Sequence, residues 1–179
     1  YKELGIEIPA PAAEAIFVSI VSDTGWFKYS NTDSRTLMIA SEMIGAGVQP
    51  DRLYDRMFRD NDPESIALLA ESLDQHQVSL DGRFGYATLD PAFMNRVKKV
   101  GFDTDGILEP IRSVKGVEVV CLLKSLNSGL TKVSLRSMGK IDVQEIASEL
   151  GGGGHAKAAG ASVNRPVAEV VAKIEGLVK

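Results

Sequence analysis

Thr131-Lys132-Val133-Ser134-Leu135-Arg136-Ser137 alternates apolar and polar residues, and Gly151-Gly152-Gly153-Gly154-His155 follows one helix-length later. The alternation has the two-residue period of a half-buried strand, with Val133 and Leu135 on the core side and Lys132, Ser134 and Arg136 on the other. Between them, Asp142 with Glu145 three residues on reads as a capping box. Val143, Ile146, Ala147 and Leu150 then give a helix its buried stripe, and Gly151 ends it. Upstream, Phe84, Tyr86 and Thr88 alternate within Arg83 to Leu89, and Val117 to Lys124 is a β-rich run. Downstream, Pro166 starts a helix carrying Val167, Val170, Val171, Ile174 and Val178. Strands interleaved with helices predict a compact α/β domain on a mixed sheet.

Before His76 the chain reads as helix. Ala12, Ala15, Ile16, Ser19 and Ile20 fall at helical spacing, although the β-branched residues of Ile16 to Val21 equally suit a buried strand. Thr36, Ile39, Ala40, Met43 and Ile44 mark a second helix that stops near Gly45 or Gly47. Pro50 and Asp51 open a third with Leu53 and Met57, and Asp62 and Pro63 open a fourth with Ile66, Leu69, Ala70 and Leu73 on one face. The composition changes between residues 74 and 80, which divides the chain into a helical part, 1–75, and an α/β domain, 76–179. Tyr1 to Gly5 reads as the tail of a helix already under way, so the expectation is a piece of a longer protein.

The chain has 179 residues, 44% apolar and 25% charged, with mean hydropathy near zero, as a soluble globular protein should. No apolar run approaches the roughly 20 residues of a membrane helix, and no signal-peptide pattern opens the chain. The single cysteine, Cys121, excludes an internal disulfide framework and a cysteine metal site, which fits a reducing cytoplasm. A net charge of -4 argues against a broad basic groove for long nucleic acid, while a pocket for one or two phosphates stays open.

A helix stop needs one glycine, and here there are four. Each costs about 0.5–1 kcal/mol relative to alanine, so the run asks for a close approach to something. One reading is an anion nest in which Gly152, Gly153 and Gly154 offer backbone N–H groups and His155 an imidazole. The other is a flexible loop with a solvated histidine. A Rossmann loop and a P-loop are excluded, because the glycines follow a helix and no Gly-Lys-Ser/Thr is present. Arg136 can clamp a phosphate with its planar fork or stand as an exposed strand arginine, and Ser137 lies at the strand end beside it. Asp23, in Ser22-Asp23-Thr24-Gly25, can bind a divalent metal or fix its turn as an Asx-type cap, and no nearby His or Glu cluster completes a shell. Asp60-Asn61-Asp62 and Asp103-Thr104-Asp105 read as a helix cap and a polar loop.

Ser22-Asp23-Thr24-Gly25-Trp26-Phe27 followed by Thr32, and Val133 to Ser137 followed by the glycine–histidine stretch, together resemble the DHH-type phosphoesterase superfamily with its DHH-associated C-terminal domain. The nearest branch is that of nano-RNA and pAp phosphatases, related to RecJ exonucleases and often labelled exopolyphosphatase-related. The resemblance implies a two-domain hydrolase with two Mn²⁺ ions on its N-terminal domain, acting on short oligonucleotides, pAp or linear dinucleotides. It is compatible with a homodimer. Asp23 matches the last metal-binding aspartate of that set, and Arg136, Ser137, Gly152, Gly153, Gly154 and His155 match the substrate-binding positions. The early Asp-x-Asp pair and the Asp-His-His signature are absent, so this chain resembles the C-terminal, substrate-binding part, inactive when isolated. The alternatives are a nucleotide- or phosphate-binding regulatory module without chemistry and a RecJ-like single-strand exonuclease.

Overall fold

The computed structural model describes residues 5–59, 61–126 and 128–178. The expected helix tail at Tyr1 to Gly5 falls on residues 1–4, outside the described residues, and Gly5 itself lies in a turn. Two compact units divide the chain, residues 1–60 and 61–179. Among the described residues no helix is long and apolar enough to cross a membrane.

The first unit holds α1 (Ala10–Asp23), α2 (Ser34–Gly45) and α3 (Pro50–Phe58). Its core is Ala13, Phe17, Val21, Ala40, Met43, Val48 and Leu53. The buried face of α1 therefore runs through Ala13, Phe17 and Val21, one position away from the expected Ala12, Ile16 and Ile20 stripe. With apolar residues nearly all round this helix, period alone does not choose the face, and the large Phe17 ring does.

The second unit opens with α4 (Pro63–Asp74), so this helix packs with the sheet unit although the sequence grouped it with the helical part. Its most buried positions are Ser65, Leu68 and Ser72, while Ile66, expected inside, is 57% exposed. Ser72 satisfies its buried hydroxyl by donating to the Leu69 carbonyl at 2.7 Å. There follow β1 (Gln77–Ser79), β2 (Phe84–Leu89), α5 (Pro91–Val100), a 3₁₀ turn (Thr104–Ile107), α6 (Leu108–Arg112), β3 (Val119–Ser125), β4 (Thr131–Ser137), α7 (Val143–Glu149), β5 (Gly153–His155), β6 (Ala158–Val163) and α8 (Val167–Leu177).

The six strands form one sheet in the order β1-β2-β3-β4-β6-β5. Only β2 and β3 pair in parallel, and a parallel pair requires a crossover, here α5, the 3₁₀ turn and α6. The expected mixed α/β sheet is thus present. One face carries Phe84, Val119, Cys121, Leu123, Val133, Leu135 and Ala159 against α7 and α8. The other face is covered only over β2 and β3, where Ala87, Leu89, Val120 and Leu122 pack with Leu68, Phe93, Val97, Ile107 and Ile111.

Cys121 lies fully buried in β3, and burial pushes its thiol well above the usual cysteine range. A thiol reagent at pH 8 should leave the native chain unlabelled and modify one thiol per chain in urea; rapid native labelling would contradict this core.

Candidate functional site

The strand register assembles the site. Arg136 on β4 lies opposite Ala158 on β6, and Ala158 lies opposite His155 on β5. Residues directly opposite share a sheet face, so Arg136 and His155 flank Ala158 on the face that α7 and α8 leave free. Two strand spacings put their backbones about 10 Å apart, with only a methyl group between them. The next row is Ser134, Gly160 and Gly153; the row after it is Lys124, Lys132 and Ser162. Over β4, β6 and β5 the described residues of the second unit place no helix on this face, which is bare in that sense and cationic.

Arg136 is not idle. Its fork donates to the Leu135 carbonyl at 3.0 Å and to Asp105 Oδ2 at 3.1 Å. Asp105, on the 3₁₀ turn, also faces Lys124 Nζ at 3.6 Å, and Asp103 Oδ1 accepts from the Asp105 N–H. Two cations therefore share one carboxylate. Asp105, which the sequence reading set aside as part of a polar loop, is the built-in counter-ion of this face. Half-exposed, such pairing contributes about 0–1 kcal/mol, and an incoming anion can displace it.

The glycine run has a different cause from the one expected. Gly151 takes a left-handed φ of 77°, and its N–H and that of Gly152 bond the Ser148 and Ala147 carbonyls at the end of α7. Both N–H groups are spent on the helix terminus, which takes Gly152 out of the expected anion nest. A Cβ on Gly152 would lie 2.1 Å from the Gly160 carbonyl oxygen, and one on Gly154 would lie 2.5 Å from the Ala159 Cα. What comes close to these glycines is β6, the protein's own backbone. Gly153 has open space, and Gly153 to His155 form an edge strand rather than a loop.

Ser137 does not join the set. It is buried on the core side and donates its hydroxyl to the Ile141 carbonyl at 2.6 Å. Lys124, Lys132, Ser134 and Ser162 do lie on the bare face; the alternation of β4 had already placed Lys132 and Ser134 beside Arg136.

Asp23 belongs to the first unit and ends α1. Asn31 Nδ2 donates to its carboxylate at 2.9 Å and to its carbonyl at 3.2 Å. After it, Gly25, Trp26 and Phe27 all adopt left-handed φ of 55°, 57° and 65°. For bulky residues this is strained, and it persists where surroundings over-determine it. Here Thr24 does so, since its hydroxyl donates to the Ile20 carbonyl and accepts from the Phe27 N–H, while the Trp26 and Phe27 rings meet Phe17 edge-on. Trp26 Nε1 and Thr32 Oγ1 are buried without a partner in this loop. Among the described residues, no three His, Cys, Asp or Glu side chains gather as a metal site.

Comparison with known proteins finds the DHHA1 domain at residues 102–179. The chain is similar to the bifunctional oligoribonuclease and PAP phosphatase NrnA of Thermus thermophilus, 35% identical over 89% of this chain and 47% of that protein. It is also similar to the A-adding tRNA nucleotidyltransferase of Geobacter sulfurreducens, 25% identical over 98% of this chain and 20% of that enzyme. An exopolyphosphatase-related protein from Bacteroides fragilis shares the fold, with a TM-score of 0.84, 26% identity, and coverage of 96% of this chain and 50% of that one. The chain thus spans about half the length of the first of these relatives or less.

Gly152 and Gly153 differ in the space around them. Gly152→Ala should cost about 1–3 kcal/mol through overpacking against rigid backbone, whereas Gly153→Ala should be neutral or stabilise by about 0.4–1 kcal/mol. Urea unfolding of both variants checks this, and equal effects would refute it.

Proposed function

We propose, for a chain whose residues 102–179 are a DHHA1 domain of the DHH superfamily, that the bare half-sheet is the substrate-binding face of a phosphoesterase acting on short oligonucleotides, pAp or linear dinucleotides. The observation that carries this reading is the row Arg136–Ala158–His155, which sets an arginine and a histidine on one sheet face with only a methyl group between their strand positions. A phosphate in that gap takes charge-assisted bonds from Arg136 in exchange for its contact with Asp105. The names of the oligoribonuclease and PAP phosphatase relatives support the same class of ligand.

Ligand length follows from what surrounds the row. A long single strand needs a basic groove with interleaved rings and binds with a steep salt dependence. The residues that the strand register places on this face, from Lys124 to His155, include no phenylalanine, tyrosine or tryptophan, and the whole chain carries a net charge of -4. The face therefore takes the end of a short substrate rather than tracking a strand as a RecJ-like exonuclease would.

The two Mn²⁺ ions that the resemblance implies do not fit the donors this chain provides. Two ions that activate a water and stabilise a leaving oxygen need several carboxylates and imidazoles. Asp23 is a single carboxylate already engaged by Asn31. This chain's residues bind and orient, and Asp23 supplies one metal ligand at most. A second reading, a phosphate-binding module without chemistry, is favoured by that same shortage and by the similarity to a tRNA nucleotidyltransferase.

Calorimetric titration with AMP tests the binding face. Arg136→Ala and His155→Ala should each weaken binding about tenfold, or about 1.4 kcal/mol, with Tm little changed, and Asp105→Asn should strengthen it. Wild-type affinity in the first two variants would sink the assignment. With Mn²⁺ added, the chain should release no phosphate or mononucleotide from pAp or a dinucleotide. Turnover abolished by Asp23→Ala would overturn the account of its donors.

A further inference from the structure

The third row of the bare face has no role in the reading above. Lys124 on β3 lies directly opposite Lys132 on β4, and Lys132 directly opposite Ser162 on β6. Like charges facing each other across neighbouring strands repel and destabilise a sheet. Lys124 is relieved in part by Asp105, and its side chain is only 18% exposed. Lys132 is exposed and has no carboxylate partner among the described residues. A sheet surface with no ligand to hold would gain stability by replacing Lys132.

Beside this pair lies an open cavity of about 490 Å³, lined by Lys124, Lys132, Ser134, Gly152, Gly160 and Ser162. Neither Arg136 nor His155 lines it. Two ammonium groups and two hydroxyls around a space with a glycine floor can meet a phosphate from several sides. Asp105 stands between the two ends of the face, with Oδ2 toward Arg136 and Oδ1 toward Lys124. Arg136 and Lys132 lie four positions apart on β4, about 13 Å of strand. Flexible lysine and arginine side chains shorten that gap to a range that neighbouring phosphates of a small nucleotide can span.

We propose that Lys132, with Lys124 and Ser162, forms a second anion subsite that takes another phosphate of the same ligand, so that the half-sheet selects nucleotides with two phosphates over monophosphates. This rests on the reading of Arg136 and His155 as the first phosphate site. A phosphate placed between Lys124 and Lys132 turns their repulsion into attraction, as Asp105 in part does for Lys124 in the free protein.

The test uses the 179-residue chain at one fixed, low salt concentration, because screening would hide the difference. AMP and adenosine 3′,5′-bisphosphate are titrated into wild type, Lys132→Gln and Lys98→Gln, the last being the same charge change on α5. Wild type should bind the bisphosphate at least about tenfold more tightly than AMP. Lys132→Gln should weaken the bisphosphate far more than AMP and so remove most of the preference, while Lys98→Gln keeps it. The Tm of Lys132→Gln should equal or exceed that of wild type, since a repulsion has been removed. An undiminished preference in Lys132→Gln, or equal loss of both ligands, would overturn the second subsite. If wild type binds AMP and the bisphosphate alike, only this subsite falls; if it binds neither, the reading of Arg136 and His155 falls with it.

Discussion

The approach of Gly152 to β6 is the constraint on which the proposed binding face depends. At that point the end of α7 meets the sheet so closely that a side-chain carbon would overlap the Gly160 carbonyl. The same approach lets the chain leave α7 directly into β5 and pair along β6, ending with His155 beside Ala158. Were the helix held farther out, His155 would lose its place in the row that begins at Arg136. The run of glycines is thus a packing device first. Its effect on a ligand is indirect, through the strand that it lets form.

A sheet covered on one face and half-covered on the other resolves a conflict between burial and charge. Over β2 and β3, Ala87, Leu89, Val120 and Leu122 need helices above them, and the parallel crossover supplies those helices. Over β4, β6 and β5 the same face carries Lys132, Ser134, Arg136, Gly160, Ser162 and His155, which no apolar layer could cover without stranding charge. The chain is acidic as a whole, yet local potential is set by groups within a screening length, so a net charge of -4 does not cancel a cationic half-sheet.

Much of this was legible in the sequence because strands report their faces through a period of two. The alternation of Thr131 to Ser137 correctly separated Val133 and Leu135 from Lys132, Ser134 and Arg136. Helices with apolar residues on more than one side were harder, and in α1 and α4 the buried stripe lies a position or so from the expected one. The edge strand β5 was hidden because three residues beginning with two glycines carry no strand propensity and are made strand by β6. Asp105 was hidden for another reason: its partners Lys124 and Arg136 lie 19 and 31 residues away, and only the crossover brings the 3₁₀ turn over the sheet. Ser137, placed with the ligand from its position beside Arg136, answers to the turn at Ile141 instead.

Asp105 also explains how a cluster of cations can exist without a ligand. Lys124 is largely buried and Arg136 partly so, and positive groups at such depth are costly unless something opposite is near. The carboxylate meets that need while remaining half-exposed on a short turn, so its hold on each cation is modest. A phosphate carries more charge and more acceptor oxygens than one carboxylate, and Arg136 can meet it with two parallel bonds where it gives Asp105 one. Under the proposed function the exchange would favour the ligand, by a margin that shrinks for a singly charged anion or a bulky one that cannot sit above Ala158. A counter-ion of this strength keeps the face stable when empty, and under the proposed function it would make the face selective for anions that outbid Asp105 at Arg136 and Lys124.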